Sequence, residues 1–214
     1  MSADASTLTR RTFLKRGLLA LPALMVGASD LCAASEIRSA SSYGLAFISE
    51  QLPLIRRSQW ARAPSLDGRL QRAGYYTRIT VHHTGTSVNV HTARSLIVRD
   101  LNSVLQAHLQ LRYGDIGYHF AVDYTGQVWE CRPLAYEGAH VSGENEANVG
   151  VVLLGNFEKQ RSSMDQLLAM RQLVALVQQR FRIPARRTYG HRDLGQTLCP
   201  GRYLYPHVVQ IRTA

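Results

Sequence analysis

Cysteine is scarce in this chain, three in 214 residues, and only Cys131 and Cys199 lie beyond residue 34. The one disulfide those two could form would consume Cys199, for which a different use is argued below. Cys131 follows the strand-like run Val128-Trp129-Glu130 and fits a small core residue. Long apolar runs are missing too. The N-terminal one, Leu18 to Ala28, is too short to span a bilayer. There is no internal repeat and no low-complexity segment, which excludes a repeat array. Acidic residues are outnumbered, 15 against 25 Lys and Arg, so the formal net charge is +10. The excess is scattered, with Arg56, Arg57, Arg62, Arg69, Arg72 and Arg78 set between apolar positions and Arg186-Arg187 the only later pair. Charge spread in this way is first a solvated surface. It lacks the helical basic stripe and stacking aromatics of a nucleic-acid binder, so among polyanions a cell-wall polymer fits better.

What is present begins with an address. Thr9-Arg10-Arg11-Thr12-Phe13-Leu14-Lys15 precedes the short apolar run, a pattern that resembles a twin-arginine export signal and predicts a periplasmic protein. Cleavage is expected after Ala28 or Ala34, making residues 1–34 the signal. Ser29-Asp30-Leu31 suits lipidation of Cys32 poorly, so no stable membrane anchor is expected. Removing 1–34 takes away four basic and two acidic side chains, leaving 21 minus 13, or +8.

Residues 35–54 mix Ser, Gly and isolated apolar positions without sustained periodicity and are expected to be a partly ordered lead-in to one domain over 55–214. Trp60 is expected in its core. Arg78 to His83 alternates apolar and polar like a half-buried strand. From Thr92 to Leu111, apolar residues at 93, 96, 97, 101, 104 and 105 recur at helical spacing, so His91 is a loop residue and His108 a helix residue. Tyr118 to Val122 and Gln127 to Glu130 predict two strands joined by the turn Asp123-Tyr124-Thr125-Gly126. Val149 to Leu154 is almost continuously apolar, the signature of a central strand buried on both faces. Ser163 with Gln166 predicts a capping box opening a helix that Pro184 stops. Tyr203 to Ile211 predicts a short terminal helix with Pro206 in its first turn. The elements alternate, which predicts an α/β fold: one domain with a central mixed β-sheet flanked by helices.

The chemistry concentrates at two places. Gly190-His191-Arg192-Asp193 is followed by Thr197-Leu198-Cys199-Pro200-Gly201, putting an imidazole and a thiol eight residues apart. Far upstream, His82 and His83 close the strand that begins at Arg78. A strand end and a loop can together supply His, His and Cys, and three protein ligands leave a fourth tetrahedral position of a zinc ion open for water, as in catalytic sites. Neighbouring strand residues point to opposite faces, so only one of His82 and His83 can be a ligand.

His82-His83-Thr84, Asp115-Ile116-Gly117-Tyr118-His119-Phe120, Gly138-Ala139-His140, Asn148-Val149-Gly150 with Gly155-Asn156-Phe157, and the closing His191 and Cys199 occur in an order and spacing that resemble a known family. These motifs are similar to those of zinc-dependent N-acetylmuramoyl-L-alanine amidases of the peptidoglycan recognition protein and phage amidase type, and the likeness runs from about Ile55 to the C-terminus. The resemblance implies that fold and a zinc ion on His82, His191 and Cys199. It implies Tyr118 as the donor stabilising negative charge on the carbonyl oxygen and Thr197 as a second catalytic group. A threonine can donate or orient one hydrogen bond but supplies no positive charge, unlike the lysine of phage relatives. His119, His140 and Asn148 are implied near the substrate groove. Zinc suits the reaction because it acidifies water to a pKa of about 7 and polarises a carbonyl.

Two departures matter. Cytoplasmic recycling relatives carry a glutamate where this chain has Val152, so a carboxylate base is missing there. The family's Gly-Trp pair associated with diaminopimelate-type stem peptides is replaced by Pro133-Leu134, which removes that guide to specificity. The expected function is hydrolysis of the amide between N-acetylmuramic acid and L-alanine, with peptidoglycan or muropeptides as partner and a monomer as the working unit. The alternatives are a recognition module that binds without cutting and an unrelated zinc hydrolase. Non-hydrolytic relatives typically lack the thiol ligand, so Cys199 favours the enzyme. Twin-arginine substrates are exported folded, so such a site could be assembled before its thiol meets an oxidising compartment.

Overall fold

The computed structural model describes residues 44–214, and the expected signal over 1–34 lies outside them. Six strands form one sheet in the order β1-β4-β3-β5-β2-β6: β1 Leu54–Ile55, β2 Arg78–His83, β3 Phe120–Val122, β4 Val128–Glu130, β5 Asn148–Leu153 and β6 Thr188–Gly190. Only β3 and β4 are antiparallel, and the other neighbours run parallel. Their hairpin closes as expected on Asp123. One carboxylate oxygen accepts from Thr125 N at 2.8 Å and the other from Trp129 Nε1 at 2.8 Å. The observed class is the predicted one, a mixed sheet flanked by helices.

β5 is buried at all six positions because helices cover both sheet faces. Side chains alternate along it. Val149, Val151 and Leu153 join a core with Ile79 and Val81 of β2, and Val152 joins the opposite core with Ala121 and Trp129. Helix α3, Met164–Phe181, covers the first face through Met170, Leu173, Val174 and Val177, all at 0% exposure. Burying each contributes on the order of 1.5–3 kcal/mol. Helix α2, Arg94–Gln110, covers the second through Ile97, Leu101 and Leu105. The terminal helix α4, Tyr205–Thr213, has Pro206 in its first turn.

Three details differ from the sequence expectations. Residues 44–51 form a helix, α1, with Ile48 at 0% and Leu52 at 6% exposure in the main core. Leu45, Ile48 and Leu52 are spaced three and four apart, so the later part of the lead-in belongs to the folded body. Only half of the capping box forms. Ser163 Oγ accepts from Gln166 N at 3.0 Å, but the Gln166 amide donates to Val122 O and Leu154 O, stitching α3 to the sheet. Within the apolar stripe of α2, Asn102 is buried and bridges to the preceding loop through Arg62 N and Trp60 O.

Candidate metal centre and its cleft

Strand β2 carries Thr80 and His82 toward the α2 face, because they alternate with Ile79 and Val81, which lie in the α3-side core. His82 stands near the carboxyl end of β2. The neighbouring parallel strand β6 ends at Gly190 and delivers His191 beside it, in keeping with the tendency of parallel sheets to hold their sites at strand carboxyl ends. The nitrogen and sulfur ligand atoms of His82, His191 and Cys199 all lie within 4.8 Å of one another. Cys199 Sγ is 3.6 Å from His82 Nδ1. Two imidazoles and a thiol suit a borderline-soft divalent ion such as zinc, and three protein ligands leave a position free.

The surroundings set the protonation of these groups. Burial first, then the neighbouring imidazoles His140 and His191, holds His82 well below the usual histidine range, so it stays neutral and can offer a lone pair. Burial also lowers His191. The Cys199 thiol is pushed up to about 12 by burial, opposed by a hydrogen bond from His83 N and by Arg192. Arg192 and His83 N do not overcome burial, so on its own the group is a thiol, and a divalent cation reverses that balance.

The supporting contacts explain the loop. Asp193 accepts from Gly190 N at 2.8 Å, from Tyr205 Oη at 2.5 Å and from Arg212 at 2.9 Å, so α4 holds the turn that presents His191. Thr197 Oγ1 accepts from Cys199 N at 3.1 Å, leaving its hydroxyl proton free to donate. His83 takes no part in the cluster. Its Nδ1 accepts from Phe157 N at 3.1 Å, which turns the ring toward the 155–157 loop.

Tyr118 lies against the cluster, with its ring centroid 5.1 Å from that of His82. Among the described residues its hydroxyl has no hydrogen-bond partner, unlike a structural tyrosine tied to backbone. Burial raises its pKa, with Cys199 adding, so it remains a donor at neutral pH. Two cavities meet at Tyr118. One is lined by Thr84, Asn89, Asp100, Val104 and Leu154, the other by Ala139, His140, Asn145 and His191. His108 lines both. Its Nδ1 accepts from Gly117 N at 2.9 Å, and burial lowers its pKa to about 4. The neutral ring therefore carries its proton on Nε2. As a helical histidine on an amphipathic pattern it gave no functional signal in the sequence.

The three residues expected at the substrate groove separate. Only His140 lines the cleft. His119 is at 0% exposure, with Nδ1 accepting from Gly150 N at 3.0 Å and Nε2 beside Tyr136 O at 3.0 Å and Tyr76 Oη at 3.1 Å. Asn148 is also at 0% exposure, its amide bonded to Thr80 Oγ1 and Glu144 O. Both side chains spend their polar atoms inside the protein and join strands and loops. Val152, where a carboxylate was missed, pairs in register with His82 and is buried, which leaves an apolar side chain at that position.

A mixed sheet thus carries a His-His-Cys cluster near the ends of parallel strands, beside Tyr118 in an open cleft. The family described as N-acetylmuramoyl-L-alanine amidase matches residues 72–202, and the chain belongs to that family. A peptidoglycan recognition protein of Trichoplusia ni is 33% identical over 133 residues, 61% of this chain and 71% of the relative. Among solved structures, peptidoglycan recognition protein-LE in complex with tracheal cytotoxin, a monomeric diaminopimelic acid-type peptidoglycan, matches with a TM-score of 0.66. It is 27% identical, over 73% of this chain and 92% of that one. N-acetylmuramoyl-L-alanine amidase LysC from Clostridium intestinale URNW matches with a TM-score of 0.61 at 22% identity, over 75% of this chain and 95% of that one. That last likeness is one of fold.

Proposed function

We propose that this chain is a zinc-dependent N-acetylmuramoyl-L-alanine amidase that acts on peptidoglycan or its muropeptide fragments after twin-arginine export to the periplasm. The observation that carries the reading is the complete His82, His191 and Cys199 cluster with the Tyr118 hydroxyl unengaged beside it. Family membership, and relatives named for peptidoglycan recognition, support the substrate class.

Zinc held by the cluster supplies water activation and carbonyl polarisation. The chain's own residues do the rest. Tyr118 donates a hydrogen bond to the carbonyl oxygen as negative charge develops on it, and its raised pKa keeps the proton on the phenol until that moment. Thr197 positions the Cys199 backbone and retains one O–H to orient a polar substrate group. His108 and His140 line the cleft, His140 with both ring nitrogens engaged by His82 and Asn148 O, and with Val152 apolar no carboxylate stands opposite His82 to take the proton.

Recognition without cleavage is the rival reading, since several relatives are named for recognition. The cluster's intact thiol favours cleavage. Mass spectrometry of muropeptides after incubation with the protein decides between them. The expected products are stem peptides with a free L-alanine amine and glycan fragments that keep their lactyl group. Bound but uncut muropeptide would make the protein a recognition module.

A further inference from the structure

His140 has a use that does not depend on substrate. Its Nδ1 lies 3.0 Å from His82 Nε2, and its own Nε2 lies 3.2 Å from the backbone carbonyl of Asn148. A carbonyl can only accept, so His140 must carry its proton on Nε2. A neutral imidazole has a single N–H, which leaves Nδ1 of His140 a bare acceptor. His82 must therefore protonate Nε2 and leave its Nδ1 lone pair on the side facing Cys199 Sγ, 3.6 Å away.

From this geometry we infer that His140 is a positioning residue of the metal site: a relay from Asn148 O through His140 fixes the tautomer and ring direction of His82 so that Nδ1 is the ligand atom. The packing is built around this ring. A Cβ on Gly138 or on Gly150 would overlap His140 Cδ2, so both positions admit only glycine while the ring sits there. Asn145 Oδ1 fixes the adjoining backbone, accepting from His140 N at 2.8 Å and Val141 N at 2.9 Å. Partners of this kind raise ligand basicity and remove the cost of selecting one tautomer, and losing them weakens metal affinity about 10- to 100-fold.

The inference rests on the cluster being a metal site and does not require hydrolysis. The test is zinc affinity of the full chain by competition with a chromophoric chelator, for wild type, His140→Leu and His140→Asn, with thermal unfolding of each apoprotein alongside. His140→Leu should bind zinc about 10- to 100-fold more weakly. His140→Asn, whose amide oxygen can accept from His82 Nε2, should recover part of the loss. Nitrogen-15 spectra of the wild-type imidazoles should show His82 and His140 each protonated on Nε2. If wild type bound no zinc, the metal reading itself would fail. If wild type bound zinc and His140→Leu matched it while losing only muropeptide affinity, His140 would be a substrate contact alone. A proton on Nδ1 of His82 would overturn the relay even if the leucine variant did not fold.

Discussion

At the scale of single residues, the cluster separates holding a metal from doing chemistry, and substitutions should fail in different ways. Tyr118→Phe removes a hydroxyl with no internal partner and keeps the ring against His82. Zinc content and muropeptide affinity should stay near wild type while kcat falls about 10²- to 10³-fold, the usual cost of one donor to a developing oxyanion. Unchanged turnover with zinc bound would shift that role to Thr197 or His108. The thiol gives a second expectation. Cys199 in the metal-free protein is pushed up to about 12, so it enters the metal complex by losing a proton, whereas His82 and His191, held below the usual histidine range, are already neutral at pH 7. Zinc binding should therefore release at least the thiol proton, with the bound water adding toward a second above pH 7, so apparent affinity should rise at least about tenfold per pH unit between pH 6 and 8. Calorimetric titration in buffers of different ionisation enthalpy counts the protons released. A pH-independent affinity would mean that the thiol proton is not displaced and Cys199 is not a ligand.

At the scale of elements, periodic patterns were legible and local exceptions were not. β2, β5, α2 and α3 follow from alternation, a continuous apolar run and helical spacing, because each buries a face that the pattern records. α1 was missed because its three apolar contacts sit among Ser, Gly and Ala, where spacing alone is weak. The grouping of His82, His191 and Cys199 was legible because residue type, order and motif agreed. His119 and Asn148 were misplaced toward the groove because a sequence shows that a side chain is polar without showing whether its partner is ligand or backbone. The link from α4 to the loop bearing His191 was also invisible, since Asp193 meets Tyr205 and Arg212 only in three dimensions. It carries a prediction. Asp193→Ala leaves Gly190 N and Tyr205 Oη without their acceptor, and should cost about 2–3 kcal/mol of stability. Zinc affinity should fall with it, because the turn bearing His191 loses its anchor. Chemical denaturation and zinc competition on one preparation test both. Lost stability with full zinc affinity would show that the loop holds its shape without α4.

At the scale of the whole molecule, the proposed export and the acid response depend on where charge is placed and where it is excluded. If Arg10 and Arg11 form the export signal, changing both to lysine should leave precursor in the cytoplasm, as fractionation and immunoblotting would show; normal export would refute the signal. The acid response comes from the histidines packed beneath the cleft. His119 is completely buried, and desolvation lowers its pKa to about 3 against 6.5 for the free side chain. Between those values the unfolded chain binds a proton that the native one refuses, so stability rises with pH across that window. It is whole above 6.5 and lost progressively as pH falls toward 3. At pH 5 His119 alone should cost about 2 kcal/mol, from about 1.4 kcal/mol per pH unit of difference. His108, lowered to about 4, acts in the same direction. Ordinary carboxylates titrate nearer pH 4, so a loss that begins just below pH 6.5 carries the histidine signature. Urea unfolding of the metal-free protein at pH 7.5 and pH 5.0 should show a lower midpoint at the acid end with a similar slope. His119→Gln, which cannot titrate, should shrink that dependence by about 2 kcal/mol and leave the part due to His82, His108 and His140, even if it lowers stability at both pH values. A variant with the same pH dependence as wild type would mean that His119 finds room for its proton in the folded state.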